Sequence, residues 1–141
     1  MITQYSFGQN LAAAKSNNVI DIYKQWTAAE VRADLQKNRT DLVTIMLNLT
    51  HDFNKSAAIR SNNAFLGKEV YIVGRRKYNT RGDVGMRHYE KIFHADTLQE
   101  VVDKLHVEGY TIYAVDNQME YNPVNLWDED FPRKSAFVFG G

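Results

Sequence analysis

The chain contains no cysteine. Disulfides, thiolate metal sites and cysteine nucleophiles are therefore excluded, and nothing suggests an oxidising compartment. Only two prolines, Pro123 and Pro132, occur in 141 residues. No apolar run approaches the roughly 20 residues that span a bilayer. The N-terminus lacks the basic-then-apolar pattern of a secretory signal. Net charge is missing as well, since 17 Lys and Arg balance 17 Asp and Glu. Bulk charge thus gives no attraction to nucleic acid. The expectation from these absences is a cytoplasmic protein with no membrane partner.

Several chemistries are excluded by missing motifs. The four histidines, His51, His88, His94 and His106, show no i, i+4 pair, so no metal site is expected. There is no G-x-S-x-G elbow, no G-x-G-x-x-G and no Walker A sequence. Asp128, Glu129 and Asp130 read as a solvated loop face rather than an acid–base pair.

What is present suits a single folded domain. The chain is 44% hydrophobic, with 8 Tyr, 7 Phe and 2 Trp, enough to build a core. Its charge is segregated. Residues 55–91 hold nine basic and three acidic side chains, whereas residues 92–141 hold three basic and nine acidic. A local basic region can bind phosphates even in a neutral protein.

The organising stretch is residues 42–74. Leu42 to Leu49 reads as a buried strand, Ala57 to Leu66 as a short helix, and Val70 to Val73 as a second strand. Gly67 stands where a helix-ending residue with positive φ is useful. Strand, helix and strand form one βαβ unit with a right-handed crossover. The turn between the first strand and the helix carries Asp52, Asn54 and Ser56, with Arg60 one turn in. Polar groups so placed lie where open α/β sheets bind ligands.

Elsewhere, residues 1–20 read as a loose arm with a helical turn at Leu11 to Ala14. Thr27 and Glu30 have capping-box spacing and open a helix striped by Val31 and Leu35. Residues 74–89 carry three glycines, five cations and two tyrosines, and read as a long exposed loop. Ile92 and Phe93 suggest a short strand. Thr97 and Glu100 form a second capping-box pair before Leu98, Val101, Val102 and Leu105. Gly109 closes that helix. Tyr110 to Val115 and Ser135 to Phe139 complete the strands. The alternation predicts an α/β fold, a mostly parallel sheet with helices on both faces. From spacing alone, the favoured reading is Asn54 as a helix cap and Arg60 as a solvated side chain. The basic loop reads equally as plain solvated surface.

Asn54-Lys55-Ser56-Ala57-Ala58-Ile59-Arg60, followed by Asn63-Ala64-Phe65 and Gly67, resembles the first motif of the SpoU/TrmH RNA ribose methyltransferases. That motif has an Asn, a small residue two on, an Arg six on, then Ala-Phe-Gly. Phe131-Pro132 and Ser135-Ala136-Phe137-Val138-Phe139-Gly140 resemble the second motif. The forms Val73-Gly74-Arg75-Arg76 and Gly85-x-x-His88-Tyr89 resemble one branch of the TrmH-like group. The resemblance covers about residues 39–141. The family continues with a Glu, a Gly-rich stretch and a third motif that completes a trefoil knot, and these are missing from the sequence.

The resemblance implies a Rossmann-like half of a SPOUT-type fold. It divides the chain into an N-terminal arm and helix over 1–38 and an incomplete SpoU-type domain over 39–141. It implies methyl transfer from S-adenosylmethionine to a ribose 2′-hydroxyl of tRNA or rRNA. Arg60 would hold the ribose hydroxyl and phosphate, with Asn54 supporting it. Asp116, Asn117, Phe139, Gly140 and Gly141 would border the cofactor. Arg75, Arg76, Lys77, Arg81, Arg87 and His88 would touch RNA. Family members pair through the knot, so a homodimer is expected of the complete enzyme. The alternative is a non-catalytic RNA-binding module or one half of a split enzyme.

Overall fold

The computed structural model describes residues 1–7, 19–47 and 53–140. The helical turn expected at Leu11 to Ala14 lies outside these residues, as do His51, Asp52 and Gly141. The described elements, in chain order, are β1 (Thr3–Gln4), α1 (Ala28–Lys37), β2 (Val43–Leu47), α2 (Phe53–Ala64), β3 (Glu69–Val73), β4 (Ile92–Ala95), α3 (Leu98–Val107), β5 (Thr111–Ala114) and β6 (Ser135–Phe139).

Six strands form one sheet in the order β1-β4-β3-β2-β6-β5. Five are mutually parallel, with registers such as Ile45 beside both Tyr71 and Val138. The predicted α/β fold is therefore the observed one. The exception is β1, which runs antiparallel to β4 and pairs Thr3 with His94. This strand was read as loose arm, because two residues carry no periodicity.

The β-branched runs explain the core. β3 is buried along its whole length, as a central parallel strand should be. One face, with Val43, Ile45, Tyr71 and Val138, packs against Val101 and Leu105 of α3. The other face, with Val70, Ile72 and Ile92, packs against Ile59 of α2. Helices thus cover both faces, and no described helix is long and apolar enough to cross a membrane.

The helix ends follow local chemistry. At α1 the Thr27 hydroxyl accepts from the Glu30 N–H at 3.3 Å, and the Glu30 carboxylate accepts from the Thr27 N–H at 2.7 Å. At α3 the Thr97 hydroxyl accepts from the Glu100 N–H at 3.4 Å. The Glu100 carboxylate is shared between the Asp96 N–H at 3.2 Å and the Met1 amine at 2.8 Å. After α3, Gly109 takes φ 83, which a side chain would oppose.

Two sequence expectations are corrected here. α2 begins at Phe53 rather than Ala57, so Asn54 and Ser56 lie on the helix and not in a preceding turn. Gly67 does not take positive φ; Leu66 does, at φ 55. Gly67 is required for space, since a Cβ there would meet the Asn62 Oδ1 at 2.1 Å.

Candidate active site

The chain runs from β2 through α2 to β3 and then β4 on one side of the sheet. It then crosses over through α3 to the far edge, and returns by β6 to the other flank of β2. Strand order reverses between β2 and β6. Open α/β sheets bind ligands at such a switch point, beyond the carboxyl ends of the strands.

A cavity of about 690 Å³ runs along β2 from Leu42 to Leu47, between α2 and the β2–β6 pair, and reaches the carboxyl ends of those strands. Met46 and Leu47 of β2, Phe139 and Gly140 at the end of β6, and Asn54 and Ser61 of α2 all line it. Its volume falls in the range of small-molecule sites, and its walls are mostly apolar with a few polar groups. Asn54 is exposed, and Phe139 is 37% exposed. Phe139 and Gly140, implied as cofactor neighbours, thus share a cavity with Asn54. Asp116 and Asn117 follow β5 on an exposed stretch outside this lining. The Asp116 carboxylate accepts from the backbone N–H groups of Asn117 and Gln118, at 2.7 and 3.2 Å.

Arg60 opens elsewhere. Six residues along a helix place two side chains about 120° apart. Arg60 accordingly lines a second cleft of about 420 Å³, with Arg81, Gly82, Phe53 and Phe65. Ala57, Ser61 and Phe65 border both hollows and form the ridge between them. The structure therefore separates Asn54 from Arg60 and joins Arg60 to Arg81. Among the described residues the Arg60 side chain is exposed and makes no hydrogen bond or ion pair. Arg81 is exposed too, its backbone N–H donates to the Asn79 side chain at 3.0 Å, and its side chain makes no hydrogen bond or ion pair among the described residues. Phe53 and Phe65 flank the cleft at 59% and 75% exposure. Two planar cations between exposed rings suit a phosphate with an adjacent base or ribose.

Small residues bring this cleft together. A Cβ on Gly82 would meet the Ser56 Cβ at 2.8 Å and the Phe53 ring at 3.3 Å. The Ser56 hydroxyl, fully buried, donates to the Asn79 carbonyl. The small residue two beyond Asn54 thus anchors the loop that carries Arg81.

The remaining basic residues divide into two groups. Arg75, Arg76 and Lys77 are exposed directly after β3. Arg87 is held at 2.7 Å by Asp83, whose side chain is fully buried. Asp83 and Arg87 each lie in a short helical turn, Thr80–Asp83 and Met86–His88. His88 is half-buried, its ring edge on Phe7 at 6.0 Å, and its carbonyl accepts from the Arg32 guanidinium at 3.1 Å. Burial and the neighbouring Arg87 push the His88 pKa down.

Sequence reasoning missed the network that sets the height of α2 above the sheet. The Glu90 carboxylate, fully buried, accepts from Arg39 at 2.8 Å, Asn62 at 2.9 Å and Asn63 at 2.7 Å. Asn62 also accepts from the Thr44 hydroxyl at 2.9 Å. The asparagines within the helix were the available signal, since a helix interior seldom carries two in succession without a partner. Among the described residues no group of three metal-type side chains converges.

The geometry can be set beside known proteins. No curated protein matches the chain. The TrmH/SpoU tRNA modifying enzyme of A. aeolicus superposes with a TM-score of 0.66 at 22% identity, over 81% of this chain and 59% of that one. The SpoU methyltransferase AviRb of Streptomyces viridochromogenes, in complex with AdoMet, gives 0.62 at 18% identity, over 76% of this chain and 46% of that one. An RNA 2′-O ribose methyltransferase gives 0.57 at 19%, over 68% and 37%. These likenesses show a shared fold, and the chain spans about three-fifths or less of each structure. The model of the SpoU rRNA Methylase family matches residues 41–141. That match takes in β2 through β6, both hollows and the loop between them, and the chain belongs to the SpoU rRNA methylase family.

Proposed function

We propose that this chain serves an RNA 2′-O-methyltransferase, in which a methyl group passes from S-adenosylmethionine to a ribose 2′-hydroxyl of tRNA or ribosomal RNA. The observation that carries this reading is the cavity that reaches the β2–β6 switch point, lined both by Asn54 of the first motif and by Phe139 and Gly140 of the second. AviRb, a structure of the same fold, is a complex with AdoMet.

The residues present fit the group. The apolar wall of Met46, Leu47 and Phe139 suits an adenosyl surface, and Asn54 and Ser61 offer the polar contacts. S-adenosylmethionine supplies an electrophilic methyl group on a sulfonium. Asn54 borders that wall and orients what enters beside it. Arg60 and Arg81 grip the backbone of the target nucleotide through its phosphate and ribose hydroxyls. Holding a hydroxyl in line is worth several orders of magnitude in rate. The guanidinium of Arg60 stays protonated, so it holds rather than deprotonates the hydroxyl. A phosphate oxygen or a water takes that proton. Arg75, Arg76 and Lys77 supply sequence-independent attraction for the flanking strand.

The test is to incubate the protein with methyl-labelled S-adenosylmethionine and unmodified tRNA or ribosomal RNA, then digest with alkali. Label in alkali-resistant dinucleotides supports the reading; label confined to bases overturns it. A second reading rests on the share of the A. aeolicus enzyme that the chain spans, 59%. It is an RNA-binding module, or half of a split enzyme, that transfers no methyl group alone. Salt-dependent RNA binding without detectable S-adenosylmethionine binding by calorimetry favours this second reading.

A further inference from the structure

The first seven residues touch the basic loop at three points. The Tyr5 hydroxyl donates to the Arg76 carbonyl at 2.7 Å. The Arg76 guanidinium lies over the Tyr5 ring, 5.1 Å from its centroid. The Tyr78 ring stands edge-on to Tyr5 at 6.2 Å. Behind it, Phe7 stacks on Tyr5 at 5.6 Å with 4° between the planes, and meets His88 at the far end of the loop. The platform itself is fixed. The Tyr5 N–H donates to the Ile92 carbonyl at 2.9 Å, extending β1 along β4. His94, opposite Thr3, stands edge-on to Tyr5 at 6.3 Å and donates to the Gly74 carbonyl at 2.5 Å.

We infer that Tyr5 is a positioning residue for RNA: it holds Arg76, through ring and hydroxyl, at the height where the Arg75–Lys77 triad presents its cations to a phosphate. The inference rests on the RNA-binding reading of the loop. Its physical basis is entropy. An exposed arginine loses rotamer freedom when it grips a phosphate. A guanidinium already lying on an aromatic face has lost part of that freedom beforehand, and the stacked edge leaves its N–H groups free to bind. The strand pairing of β1 transmits the sheet's rigidity to a loop that has glycines at 74, 82 and 85. An N-terminal segment without a motif thereby becomes part of the binding surface.

A double-mutant cycle on RNA affinity tests this, with a pool of unmodified tRNA transcripts as probe and affinity measured from 50 to 300 mM salt. Arg76→Ala removes one phosphate contact and flattens the log affinity against log salt slope by roughly 0.7 to 0.9. Tyr5→Leu weakens binding roughly five-fold, keeps the wild-type slope, and costs almost nothing once Arg76→Ala is present. Tyr5→Phe, which keeps the ring, weakens binding about two-fold and is silent in the same background. It supplies the cycle if Tyr5→Leu does not fold. Additive effects, with the Tyr5 variants equally harmful without Arg76, overturn the positioning role while leaving the RNA reading intact. Wild-type protein that shows no salt-dependent binding overturns the RNA reading, and the inference with it.

Discussion

Gly67 and Asn62 cannot both carry side chains of ordinary size. A Cβ on residue 67 would lie 2.1 Å from the Asn62 Oδ1, and the Gly67 N–H already donates to the Asn62 carbonyl at 2.8 Å. Asn62 has no room to yield, because it accepts from Thr44 and donates to Glu90 inside the core. Gly67→Ala is therefore expected to destabilise the fold by about 1–3 kcal/mol in urea denaturation. Leu66→Gly removes left-handed strain at φ 55 but loosens the unfolded chain, so it should be nearly neutral. If the alanine variant melts like wild type, Gly67 is there for some other reason.

Arg39 and Glu90 form the most enclosed ion pair among the described residues, at 2.8 Å with side chains 3% and 0% exposed. Arg39→Ala strands a buried carboxylate and should cost about 3–5 kcal/mol. Adding Glu90→Gln should recover part of that loss. The pH dependence has a defined sign. Burial raises the Glu90 pKa, and Arg39 opposes the rise. Without Arg39 the folded state binds the proton more tightly than the unfolded state does. The Arg39→Ala variant should then gain stability as pH falls toward the ordinary glutamate range, and lose it as pH rises through the raised value. Thermal melts at pH 5 and 7 decide this.

His88 predicts the opposite slope. Its folded pKa is pushed below the usual histidine value, chiefly by burial and then by Arg87. The unfolded chain binds the proton more readily, so stability should fall as pH drops through the ordinary histidine range. His88→Phe should flatten that part of the profile and keep the ring edge toward Phe7. An unchanged profile would show that His88 does not contribute.

Arg60 and Arg87 should separate function from stability. Arg60 is exposed and makes no bond among the described residues. Arg60→Ala should leave the melting temperature unchanged and cut methyl transfer by the complete enzyme by about 100-fold or more. Retained activity would remove Arg60 from the mechanism. Arg87→Ala instead strips the cationic partner from buried Asp83, leaving it the Gly85 N–H at 2.8 Å, and should cost about 2 kcal/mol of stability. Its effect on RNA affinity should follow that loss.

Much of this fold was local enough to read directly. The Thr27 box, the Thr97 cap and the helix-closing Gly109 depend on residues within one turn of each other. The β-branched runs at β2 and β3 required burial on both faces, which only a covered parallel sheet provides. Asn54 and Arg60 were visible as a pair because a motif is a spacing along the chain. That they open onto different hollows was not, since direction depends on where the helix starts and how it rolls against Ile72 and Ile92. The rest was decided by contacts far apart in sequence. Strand order placed Phe139 beside Met46, and so made the cavity. Glu90 lies 51 residues from Arg39, and Tyr5 lies 71 from Arg76. Neither pair has a periodicity to betray it. The amino-acid sequence by itself determined the main helices and strands, β1 excepted, and the motif spacings that mark the candidate residues. Tertiary structure alone decided which of them meet, because meeting is set by the closure of long loops around a shared core and not by any local preference of the chain.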